Sequence, residues 1–210
     1  MTIWTKPELS FFRKLSEPAK IQAYLDSLPY NVDDVTRSPR EVLRAQTVHC
    51  FDGALFAAAA LELLGFPPLI VDLQSSKEDD DHILAVFKKR GHWGAVAKSN
   101  YTGCRYRDPV YRTLRELSLS YFDVYFNLAG KKTLRRYSRP YDLGKVHDIE
   151  WRTTSDNLDF LGARVDATRH YNLLSKELEG ELSPADERSF RAAVLGLDVR
   201  GAHKVRGSRL

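Results

Sequence analysis

His49-Cys50-Phe51-Asp52-Gly53-Ala54-Leu55-Phe56-Ala57-Ala58-Ala59-Ala60-Leu61-Glu62-Leu63-Leu64-Gly65-Phe66-Pro67-Pro68 is the stretch on which the fold turns. From Phe51 to Leu64 the residues are almost all helix formers. Leu55, Phe56, Ala59 and Leu63 make a long apolar face, and Gly65 followed by two prolines supplies the stop. Such a helix is buried on most sides; at the usual rise its length is about 21 Å. Cys50 stands immediately before it, where unpaired N–H groups and the positive end of the helix dipole favour an anion.

Working outward, Leu69-Ile70-Val71 with Leu73 is a short β-rich run, Ser75 to Asp81 a polar acidic loop, and His82 to Phe87 a second run closed by Lys88-Lys89-Arg90-Gly91. Trp93 to Ser99 follows at hairpin distance, which predicts antiparallel pairing. Upstream, Pro18 to Leu28 is periodic, and Ser38-Pro39-Arg40-Glu41 is a capping box with proline at the first helical position. Downstream, the capping box Thr113-Leu114-Arg115-Glu116 opens an aromatic-rich helix expected to reach about Asn127, carrying Tyr121, Phe122, Tyr125 and Phe126. After Pro140 the pattern weakens, although Ser183-Pro184-Ala185-Asp186 reads as a helix start. The expected organisation is a main domain over 1–140 and a C-terminal extension or small helical subdomain over 141–210.

The 210 residues suffice for a substantial core. Two cysteines and no apolar leader after Met1 to Lys6 suggest neither a disulfide scaffold nor secretion, so a cytoplasmic setting is expected. The longest apolar run, Ala54 to Leu61, is far short of a membrane span, and no membrane association is expected. The formal charge of +4 comes from 32 basic and 28 acidic side chains, most of which offset one another. Lys131-Lys132, Arg135-Arg136 and Arg139, and the tail Arg200, Lys204, Arg206 and Arg209, read as solvated faces. No nucleic-acid partner is expected.

Two cysteines, then, are the nucleophile candidates. At a helix start beside a cationic neighbour a thiol pKa can fall to about 3.5 to 7.5, and the same amides can hold an oxyanion. The competing use of Cys50 is as a small buried apolar residue, and Cys104, beside a turn, keeps that reading. His82, opening a strand after a flexible loop, is the candidate base. His49 is adjacent to the thiol but points elsewhere, and His92, His147, His170 and His203 read as surface or loop residues. Metal ligation by His49, Cys50 and His82 lacks the paired spacings of zinc sites. No phosphate loop or dinucleotide fingerprint is present, and no cofactor is expected.

The order of these features, His49-Cys50 with its helix, Leu64-Gly65-Phe66-Pro67-Pro68, Asp81-His82, Gly91-His92-Trp93 and Asp108-Pro109, resembles the core of the transglutaminase-like superfamily over roughly residues 44 to 128. The resemblance implies an α+β, papain-like fold with the nucleophile helix packed on an antiparallel sheet, and a triad in which histidine takes the thiol proton and a third residue fixes its tautomer. Cys50 and His82 match that pattern. The third position is open between Asn100, placed near His82 by hairpin register if the turn centres on Arg90 and Gly91, and Asp108, which lies 15 positions beyond Trp93. Gln46 and Trp93 are candidates for an oxyanion donor or a cleft wall. The implied activity is acyl transfer on a peptide, protein or small amide, to water or to an amine. A thioester-dependent N-acyltransferase or a degenerate peptide-binding module of the same fold are the alternatives.

Overall fold

A computed structural model describes residues 3–33 and 35–210. Within them, eight α-helices surround a seven-stranded antiparallel sheet, an α+β arrangement.

The central helix, α4 (Cys50–Leu63), follows α1 (Lys6–Lys14), α2 (Pro18–Ser27) and α3 (Pro39–Ala45). Its cap is the His49 side chain, whose Nδ1 accepts the Phe51 N–H at 3.1 Å. Every residue from Phe51 to Ala60 is buried, and Leu61 after it. Gly65, at φ 89°, turns the chain away as a backbone without Cβ can do. Ser38 caps α3 by accepting the Glu41 N–H, as the capping-box spacing predicts.

The strands β1 (Leu69–Ser75), β2 (His82–Lys89) and β3 (His92–Val96) form consecutive hairpins. Arg90 and Gly91, both at positive φ, make the two-residue turn between β2 and β3. The outer strand β4 (Arg107–Tyr111) pairs with β3, and β5 (Leu134–Ser138) pairs with β1. The short β6 (Tyr141–Asp142) continues beside β1, offset after Pro140, which has no N–H to give the ladder. β7 (His170–Asn172) closes the edge against β5.

Side-chain alternation gives the sheet two apolar faces. Ile70, Ile83, Ala85, Phe87 and Val96 meet α4, whose Phe56 also packs on Phe12 and Tyr24. Val71, Leu73, Leu84, Val86 and Ala95 meet the aromatic segment around Tyr121 and Tyr125.

One sequence expectation is corrected. The aromatic helix stops early: α5 spans only Leu114–Leu119, with a 3₁₀ turn at Phe122–Val124. Beyond it Tyr125 donates its hydroxyl to the Asp80 carbonyl at 2.7 Å and Asn127 Nδ2 donates to the Glu78 carbonyl at 3.0 Å. The segment therefore wraps the acidic loop, which a continuous helix would not do. The chain after 140, expected as an extension or a small helical subdomain, adds to the main core. Leu143, Trp151, Leu158, Leu161 and Val165, the last two on α6 (Phe160–Asp166), are fully buried in the α4 core. Arg152 also grips Glu62 on α4 through two 2.7 Å bonds. Helices α7 (Lys176–Gly180) and α8 (Glu187–Ala193) complete the chain; α8 is capped by Asp186, three residues later than the sequence suggests.

Candidate active site

Cys50 is the first residue of α4, and its position follows from the capping geometry. Both His49 nitrogens are engaged, Nδ1 by the α4 amides and Nε2 3.2 Å from the Val35 carbonyl, so His49 serves the helix end and not the thiol. Cys50 keeps some solvent exposure, yet protein atoms crowd its sulfur. Burial, reinforced by Asp52 and Asp80, pushes the thiol up to about 11, although the Ile83 and Phe51 N–H groups pull the other way. The acidic thiolate expected from a helix start is thus not the resting species, because desolvation of the sulfur outweighs the helix-end field.

His82 opens β2 and is buried. Its Nε2 lies 2.7 Å from the Cys104 carbonyl oxygen; a carbonyl can only accept, so Nε2 carries the proton and Nδ1 is the basic nitrogen. Burial depresses the imidazole to about 4. At neutral pH the thiol and imidazole are both uncharged. They line one cavity of about 430 Å³, but among the described residues no hydrogen bond joins them.

Neither candidate for the third position reaches the His82 ring. The β2–β3 register, continued past Ala85 and Val96, does bring Ser99 level with His82. Past Val96, however, the ladder is taken over by side chains. Gln22 bonds both backbone groups of Ala97, at 2.9 and 3.0 Å, and the Asn100 amide bonds both backbone groups of Asp198, at 2.8 and 2.9 Å. Asn100 lines the cavity with its amide committed to the C-terminal segment. Asp108 is exposed on β4, whose Arg107 is level with Ala95 and hence with Val86. That is four residues from His82, or about 13 Å along the sheet. The place expected for a side chain is filled by the backbone of Cys104, itself buried against the Val124 carbonyl.

Gln46 and Trp93 do not line the cavity. Gln46 ends α3 in a left-handed turn and its Nε2 donates to the Leu43 carbonyl. Trp93 packs on the same face of the sheet as Tyr121 and Tyr125 but at the hairpin end, beneath Lys88. In their stead stands Asn31, which the sequence reading passed over. It is buried, its backbone N–H is tied to the Val48 carbonyl two residues before Cys50, and its Nδ2 has no partner. Tyr30, beside it, sets its hydroxyl against the Cys50 N–H and sulfur. Tyr101, across the cavity, also holds a buried hydroxyl without a partner.

The rim is acidic, with Asp33, Asp79, Asp80 and Asp81. Asp79 accepts from the Thr133 hydroxyl, and burial raises it to about 6. The last wall is Arg200 to His203, where His203 Nδ1 bonds Asp80 at 2.8 Å and Gly201 presses so closely on the Tyr30 ring that a Cβ would stand 2.8 Å from it. Within the basic clusters, Lys131 pairs with Glu78, Lys132 with Asp123, Arg135 with Glu179 and Arg200 with Asp198.

A second histidine station occupies the other face of β1. His170, read from sequence as a loop residue, has its side chain 95% buried, with Nε2 2.9 Å from Asp72 and Nδ1 2.9 Å from the Thr168 carbonyl. Asp72 is fully buried, and burial raises its carboxyl to about 7.

No protein-family model matches the chain, and no curated protein matches it. No helix among the described residues is long and apolar enough to cross a membrane.

Proposed function

We propose that the protein is a cysteine-dependent acyl-transfer enzyme of papain-like, transglutaminase-like architecture, acting on an amide or peptide-like carbonyl. The observation that carries this reading is the convergence, in one cavity, of a helix-first cysteine, a histidine with a defined tautomer and a buried amide donor without a partner.

In this mechanism a substrate carbonyl displaces water over Cys50. His82 Nδ1 takes the thiol proton as sulfur attacks the carbonyl carbon, and the Cys104 carbonyl holds the ring through Nε2–H. The oxyanion is met by Asn31 Nδ2 and the Cys50 N–H, the latter after Tyr30 gives way. His82 returns the proton to the leaving amine, and the thioester passes its acyl group to water or to a second amine. Asp33, Asp80 and Asp81 at the rim favour neutral or cationic substrates over acidic ones. The chemistry needs a reduced thiol, in keeping with a cytoplasmic setting.

A second reading, a binding module of the same fold without catalysis, is favoured by the neutral thiol and imidazole and the lack of a bond between them. Acylation with an activated ester such as p-nitrophenyl acetate, followed by peptide mapping, separates the two. Catalysis predicts a thioester at Cys50 that turns over and that slows by about 10²-fold or more in His82→Ala. Modification of Cys104 as fast as Cys50, or no effect of His82→Ala, overturns the enzyme reading.

A further inference from the structure

Three carboxylates from distant parts of the chain, Asp72 on β1, Asp81 before β2 and Asp166 at the end of α6, bring one oxygen each to within 4.8 Å of one another. Asp72 is fully buried, and while its Oδ2 is held by His170, its Oδ1 has no partner at all. Gln74, two residues along β1 and so on the same face, holds a second buried oxygen without a partner, Oε1. Orphaned buried acceptors are rare, and two on one strand face beside two more carboxylates call for a positive group. Besides burial, Asp81 and Asp166 both act on Asp72 as like charges that push its carboxyl up. Asp166 adds a negative charge where the free carbonyls of α6 already present the negative end of the helix.

We propose that Asp72, Asp81 and Asp166, with Gln74 Oε1 as a further oxygen, form a binding site for a hard divalent cation of the calcium type. The donor set is all oxygen, as calcium requires, and lacks the sulfur and paired imidazoles that zinc prefers. Oxygens sharing a calcium ion at about 2.3–2.6 Å lie at most about 4.6–5.2 Å apart, the spread found here. His170, bonded to the second oxygen of Asp72, orients that ligand from outside. Water completes the coordination from the exposed side of Asp81 and Asp166. The site shares Asp81 with the rim of the cavity but does not rest on the acyl-transfer reading, and its test does not use the thiol.

Calorimetric titration of the full chain with calcium chloride tests it, together with the melting temperature in the same buffer. The expected result is one saturable site, with Kd at or below about 10⁻³ M, and a melting temperature that rises with calcium. Asp166→Asn and Asp81→Asn, both at exposed positions that leave the core intact, should each weaken binding at least about tenfold and remove most of the thermal shift. No saturable binding up to about 10 mM, above the range of even weak extracellular-type sites, overturns the proposal. So does binding that both variants leave unchanged.

Discussion

Two histidine stations are built into one sheet, and they differ in what faces the imidazole. In the cleft, His82 donates to a neutral carbonyl and stands near a thiol that keeps its proton. On the opposite face of β1, His170 lies between a carbonyl and a carboxylate, and its Nδ1 must donate to Thr168. A further proton therefore lies between Nε2 and Asp72. Burial is similar in the two places, so the partner makes the difference. A carbonyl with a thiol gives an uncharged pair, whereas a carboxylate gives the imidazole a hydrogen-bonded acidic partner.

The largest expected effect sharpens the cleft half of that contrast. If Cys50 is neutral up to about 11, its iodoacetamide rate climbs about tenfold per pH unit between pH 7 and 11, close to four orders of magnitude. A plateau beginning below pH 8 would instead show a thiolate–imidazolium pair and erase the difference between the stations. Next, His170→Ala leaves the buried Asp72 carboxylate without its partner and should cost about 3–5 kcal/mol in urea unfolding. A loss below about 1 kcal/mol would mean that Asp72 does not depend on the pair. Asn31→Ala removes a donor without a partner together with the Oδ1 that accepts the Asp33 N–H at 3.2 Å, so stability should fall by no more than about 1 kcal/mol while kcat/KM on an activated ester falls by about 10²–10³. Equal losses in both would make Asn31 structural. Smallest is His82→Ala, which leaves the Cys104 carbonyl unpaired and should cost about 1–3 kcal/mol, less than the His170 variant.

What the sequence disclosed follows from how local each signal is. The α4 boundaries, the Arg90-Gly91 hairpin and the Ser38 and Thr113 caps were legible because propensity, turn chemistry and capping act over a few residues. Of the candidate site, only Cys50 and His82, which rest on those elements, could be placed from the sequence. The partner of His82 was not, because it is a backbone carbonyl, which no residue type advertises. Asn100 was placed near the site correctly by register, yet its amide is drawn away by Asp198, 98 residues on. Asn31 and the Asp72–His170 pair carried no local pattern at all. Tyr30 reaches Cys50 through its bridge to Val48, and His170 arrives on a three-residue edge strand. The aromatic segment misled because a good capping box at Thr113 says where a helix starts and nothing about Tyr125 being needed elsewhere.

The wall formed by Arg200 to His203 also sets an order of events during folding. It is joined to the rest of the cleft across 98 residues at Asn100 and 123 at Asp80, far longer closures than the hairpins that carry His82. Such loops are slow to close, so the cleft gains its last side after the sheet and α4 are in place.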